Sequence, residues 1–141
     1  MGKIGWGRVV LGGVLAGVVI NISEYVLNMM VLRADMTSAM AMLGKDAAAM
    51  DAGIPLWVLW SFVVGLAGVW LYAAIRPRFG AGPKTAAIAA LAVWALSCLT
   101  FGIGMKAMGL MTDKITYIAV AWGLVEDLVA FQVGAWVYKE A

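Results

Sequence analysis

Glu24, Glu126 and Asp127 are the residues of this chain best placed to do chemistry, because each lies inside a long apolar run. Burying a charge in such a setting costs a few kcal/mol or more, so these acids need partners or a purpose. Asn21 and Asn28 flank Glu24 at helical spacing, and Ser97 and Thr100 lie in another apolar run. Carboxyls with amide and hydroxyl neighbours can hold a proton or gather oxygen ligands around a cation. They can equally serve, protonated, as hydrogen-bonding glue between helices or subunits. Lys and Arg are absent from the centres of all four apolar runs, so no salt bridge within the chain neutralises the acids. They must be protonated, hydrated, hydrogen-bonded to Asn21, Ser97 or Thr100, or paired with a cation from elsewhere.

Other chemistries find little support. The chain has no His, the commonest haem and transition-metal ligand and the usual acid/base switch near neutral pH. No Gly-rich phosphate loop, nucleophile–base pair, zinc spacing or EF-hand pattern is present. The chain therefore reads as non-enzymatic, with no catalytic residue and no metal site. The methionines at Met36, Met40, Met50, Met105, Met108 and Met111 could offer soft ligands to Cu(I). With no Cys or His beside them, packing at an interface is the favoured reading.

The elements that must position the acids are the apolar runs themselves, at about 9–32, 55–75, 85–105 and 116–138. Each reaches the roughly 20 helical residues that cross a bilayer core. At 65% hydrophobic and a mean hydropathy of +0.96, 141 residues leave no room for a separate soluble domain. The expected architecture is all-α: one transmembrane domain over 1–141, an integral membrane four-helix bundle. Measured at 1.5 Å per residue from the basic residues Arg8, Lys84 and Lys139, the residues Asn21, Ser97 and Glu126 share one depth, roughly 20 Å in. Ser61, Glu24, Thr100 and Asp127 fall within a turn of it. Gly13, Gly17, Asn21, Glu24 and Asn28 form one stripe, and Ala86, Ala90, Ser97, Thr100 and Gly104 another. Ser61, Gly65, Gly68 and Tyr72 form a third, and Gly123, Asp127, Ala130 and Gly134 a fourth, with Glu126 about 100° away. Small residues admit close helix approach, so these stripes are expected to face inward or toward another subunit.

Charge suggests an orientation. Lys3, Arg8, Arg76, Arg78, Lys84 and Lys139 share one side, and Arg33, Lys45, Lys106 and Lys114 the other. Positive charge favours the cytoplasm, so both termini are expected there. Net charge is only +2 and the basic residues are spread out, which speaks against nucleic acid as a partner. Between the first two spans, Met36, Met40, Leu43, Ala47 and Met50 recur at helical spacing. They predict a short amphipathic helix over 36–51 lying on the outer membrane surface. The first run, with Asn21, Glu24 and Asn28 inside it, suits an uncleaved span better than a signal peptide. Trp6 stands where the N-terminal lipidation pattern needs Ser or Thr.

Gly68-Val69-Trp70-Leu71-Tyr72 and Gly134-Ala135-Trp136-Val137-Tyr138 form a weak internal repeat, at the same end of the second and fourth runs. It is explained either by a parallel duplication of hairpins or by two interfacial aromatic belts. Cys98 cannot form a disulfide within the chain and reads as a small buried residue.

Three segments carry a resemblance: Ala16-Gly17-Val18-Val19-Ile20-Asn21-Ile22-Ser23-Glu24, Trp70 through Thr85, and Trp122-Gly123-Leu124-Val125-Glu126. They resemble an uncharacterised bacterial family of four-transmembrane-helix proteins with no assigned activity. The resemblance implies a bacterial source and lends no mechanism. The expected function is a non-enzymatic structural or accessory subunit of the bacterial inner membrane. Its partners would be the lipid bilayer and copies of itself or a larger complex. The alternative is a small oligomeric channel or a proton- or cation-coupled transporter using Asn21, Glu24, Asn28, Ser97, Thr100, Glu126 and Asp127. A quinone- or carotenoid-binding subunit is a third possibility, and the sequence names no cofactor.

Overall fold

The structure is a computed structural model that describes residues 4–138. Met1, Gly2 and two residues that entered the charge comparison, Lys3 and Lys139, lie outside this range. The described residues are helical with no strand. Four helical stretches are long and apolar enough to cross a membrane: Trp6–Val31, Ala47–Phe79, Pro83–Ala107 and Asp113–Val137.

The first stretch is α1 (Trp6–Tyr25), which continues into a π-helical turn over Val26–Val31. Next come α2 (Arg33–Met42), α3 (Ala47–Ala52) and α4 (Ile54–Phe79). The third stretch is α5 (Pro83–Trp94), a second π turn over Ala95–Leu99, and α6 (Thr100–Ala107). The last is α7 (Asp113–Val137). α1 packs between α4 and α7, and α5 closes the ring by packing on both.

The single helix expected over 36–51 is instead two helices, and local chemistry explains the break. Gly44 takes φ +71°, a left-handed conformation that glycine reaches without steric strain. The Lys45 amide then donates to the Met40 carbonyl and the Gly44 amide to Ala41, each at 3.0 Å. That pattern closes a helix C-terminus. Asp46 reopens the helix by accepting from the Ala49 amide at 2.9 Å, as a capping side chain does. The same device recurs before α7. Gly109 has φ +72°, Leu110 donates to Met105 at 3.0 Å, and the Thr112 hydroxyl accepts from Ile115 at 3.3 Å. The second span also runs further than expected, through Pro77 to Phe79, before α5 starts with Pro83 at its first turn.

The helices meet through glycine. A Cβ on Gly65 would lie 2.5 Å from the Gly13 carbonyl oxygen and 2.6 Å from the Gly17 nitrogen. A Cβ on Gly12 would lie 2.5 Å from the Gly134 carbonyl oxygen. Backbone therefore rests directly on backbone at both the α1–α4 and the α1–α7 contacts, the arrangement that small residues permit. The fully buried Phe131 ring covers Gly68.

At the end where α1 begins and α7 finishes, the two halves of the internal repeat touch. Tyr72 and Tyr138 are both buried and meet edge to face at 5.8 Å between ring centres. Their hydroxyls accept from the Gly82 and Gly5 amides at 3.3 and 3.2 Å, and Arg76 stacks over Tyr138. Val69 packs on Gly134, while Trp70 and Trp136 are both exposed. Equivalent positions thus share the same pattern of burial, although Gly68 meets the Phe131 ring and Gly134 meets Val69 and the Gly12 carbonyl. At the opposite end the charges pair: Arg33 with Asp51 at 2.7 Å, Lys114 with Asp35 at 2.8 Å and Lys106 with Asp113 at 3.1 Å. α2 lies over a small cluster of Leu27, Leu32 and Ile115, against which Met36 and Ala39 pack.

Candidate functional site: a carboxyl cluster at mid-length

Glu24 is the third residue of a run, Ile22-Ser23-Glu24, near the end of α1, and Glu126 and Asp127 lie halfway along α7. The glycine contacts set their separation. Because Gly12 rests on Gly134, α1 and α7 run close enough for side chains further along to meet. The Glu24 and Glu126 carboxyls lie within hydrogen-bonding reach of each other, and Ser23 reaches Glu126 as well. Asp127 is close enough to Glu24 for direct electrostatic interaction. Glu126 and Asp127 are buried, at 8% and 4% exposure, and Glu24 is half-buried.

Few donors serve these oxygens. The Asn28 amide donates to Glu24 Oε2 at 2.6 Å and also to the Glu24 carbonyl at 3.0 Å. The Trp122 indole N–H donates to the Ser23 hydroxyl at 2.8 Å, which leaves the Ser23 proton to point elsewhere. Other polar groups nearby are committed to backbone. The Trp94 indole donates to the Val120 carbonyl at 2.9 Å. The Cys98 thiol, half-buried and packed on Gly123, donates to the Ala119 carbonyl at 3.6 Å. Glu126 Oε2 is buried with no hydrogen-bond partner among the described residues. Buried polar atoms are rarely left this way.

Both π turns lie beside the cluster. One begins just after Glu24 and contains Asn28, and the other contains Ser97 and Cys98. Such turns are rare and recur at functional sites.

The seven residues named as the candidate site divide. The structure gathers Glu24, Asn28, Glu126 and Asp127. Asn21 stands a turn away, donating to the Gly17 carbonyl at 2.9 Å and toward the Val58 carbonyl at 3.4 Å. Ser97 and Thr100 bond back to their own helix, to Val93 at 2.7 Å and Leu96 at 2.5 Å. Thr100 and Gly104 are exposed. Ser23 and Trp122, which do join the cluster, carried a readable signal: Ser23 adjoins Glu24, and Trp122 is one turn before Glu126. No group of three metal-ligating side chains stands close enough to hold a metal ion among the described residues.

Compared with known proteins, the chain matches no protein-family model, no curated protein and no solved structure.

Proposed function

We propose that this protein is a structural or accessory subunit of a membrane, without enzymatic activity. It spans the bilayer four times and assembles with copies of itself or with other subunits. The carrying observation is the uncovered small-residue face of α6. Gly12, Gly13, Gly17, Gly65, Gly68, Gly102, Gly123 and Gly134 each have a neighbouring helix where a Cβ would go, whereas Gly104, like Gly7 in the first turn of α1, faces open space. Thr100, one turn earlier, is exposed beside it. A polar hydroxyl and a glycine on an uncovered face suit a second helix better than lipid.

Gly104→Leu tests this directly. Nothing within the protomer lies within 4 Å of the new Cβ, so the fold should survive. Native mass spectrometry in mild detergent should show wild type in a defined assembly and the variant at lower mass. Unchanged mass, or a wild-type monomer that co-purifies with nothing, would sink the proposal.

The second reading, a small channel or a proton- or cation-coupled transporter, draws on the gathered carboxyls. Liposome flux that vanishes in Glu24→Gln and Glu126→Gln would favour it.

The placement we favour is a bacterial inner membrane with both termini cytoplasmic and α2 and α3 on the outer surface. The greater number of basic residues on the side of Arg8, Arg76, Arg78 and Lys84 supports that placement. Reporter fusions at Ala141 and after Gly44 should then give opposite sidedness. Identical sidedness would rule out four spans with this topology.

A further inference from the structure

We propose that the Glu24–Glu126 pair is a proton-binding site, in which one exchangeable proton is shared between the two carboxyls. Counting donors leads there. An ionised carboxylate only accepts hydrogen bonds, so two of them in contact repel. Asn28 serves Glu24, and Ser23 can serve one oxygen of Glu126. The buried Glu126 Oε2 still has no partner among the described residues. A single proton supplies the missing donor and turns the Glu24–Glu126 contact from repulsion into a hydrogen bond.

The surrounding elements offer no substitute. Asp127 on α7 adds a third acid. On the neighbouring π turn, Cys98 is the sole titratable group, and its thiol is turned to Ala119. α4 carries no titratable side chain between Ile54 and Leu71, α5 none beyond Lys84, and the α1 π turn none. The nearest cations sit at the helix ends. A metal ion is the poorer occupant, because the three acids do not converge as a ligand set. The site does not depend on the accessory reading: a subunit that transports nothing can hold this proton.

Infrared spectroscopy of the protein in lipid vesicles tests the proposal. Wild type at neutral pH should show a protonated-carboxyl C=O band that shifts in D2O and is lost on alkaline titration. The double variant Glu24→Gln/Glu126→Gln should lack that band, and Asp127→Asn should keep it. A wild-type spectrum without the band overturns the proposal, as does a band that survives the double variant. Sodium added at constant pH should leave the band unchanged. Its loss on adding sodium would make the site a cation site and overturn the shared proton. The wild-type arms decide the matter even if the double variant fails to fold.

Discussion

Gly65→Leu should be the most damaging single substitution in this fold, abolishing the α1–α4 contact. The atoms a side chain would meet are the Gly13 carbonyl oxygen, the Gly17 nitrogen and the Gly17 Cα. All are backbone, so no rotamer change can make room. Overpacking a well-filled core typically costs about 1–3 kcal/mol and occasionally more. Here relief requires two helices to separate, which would also uncover the Phe62 and Leu66 packing against Gly17 and Gly13. The effect should therefore lie at or beyond the upper end of that range. Gly7→Ala is the matched control, with a glycine of α1 changed and open space beside it. Ala is favoured over Gly inside a helix by about 0.5–1 kcal/mol, so the control should hold or slightly raise stability. SDS- or heat-induced unfolding in detergent would compare them. Equal stability of the two variants would mean that α1 and α4 do not meet as described.

That contact was partly readable. Gly13 and Gly17 at four-residue spacing, and Gly65 and Gly68 in the second run, announced faces able to approach closely. Four apolar runs announced four long helices. The point at which sequence periodicity failed is physically specific. A straight 3.6-residue helix puts Ser97, Thr100 and Gly104 on one stripe with Ala86 and Ala90. The π turn over Ala95–Leu99 bonds five residues apart. An extra residue in one turn rotates everything after it by about 100°. Ala86 and Ala90 are buried as expected, while Thr100 and Gly104 face outward. No residue type in Ala95-Leu96-Ser97-Cys98-Leu99 marks such a turn. The break at Gly44 was more visible, because Gly44 followed by Asp46 is a stop and a start in sequence. The methionine periodicity outweighed it and suggested one helix. The partnership of Glu24 with Glu126 depends on contact across 102 residues of chain (126 − 24), and no local pattern reports it. Depth did, since both fall within a turn of the same level.

Glu24 should tolerate Gln and not Leu, and the contrast measures what its carboxyl does for the fold. In Glu24→Gln, the amide oxygen still accepts from Asn28, and the new N–H donors can reach Glu126. The hydrogen bond that otherwise needs a shared proton is then built in. Stability at neutral pH should change little. Under alkaline conditions the variant should outlast wild type, which loses its proton and leaves two carboxylates in contact. Glu24→Leu removes both links. Asn28 keeps only its bond to the residue 24 carbonyl, and Glu126 loses a second partner beside an oxygen that already has none. Intramembrane side-chain hydrogen bonds are worth roughly 0.6–2 kcal/mol each, so losing two should cost about 1–4 kcal/mol. Unfolding measured at neutral and alkaline pH separates the cases. If Gln and Leu destabilise equally, the carboxyl contributes through its ionisable group and not through hydrogen bonds that an amide can replace. If Leu is neutral, the α1–α7 contact rests on Gly12 and Gly134 alone, and the buried acids owe their place to something other than holding the helices together.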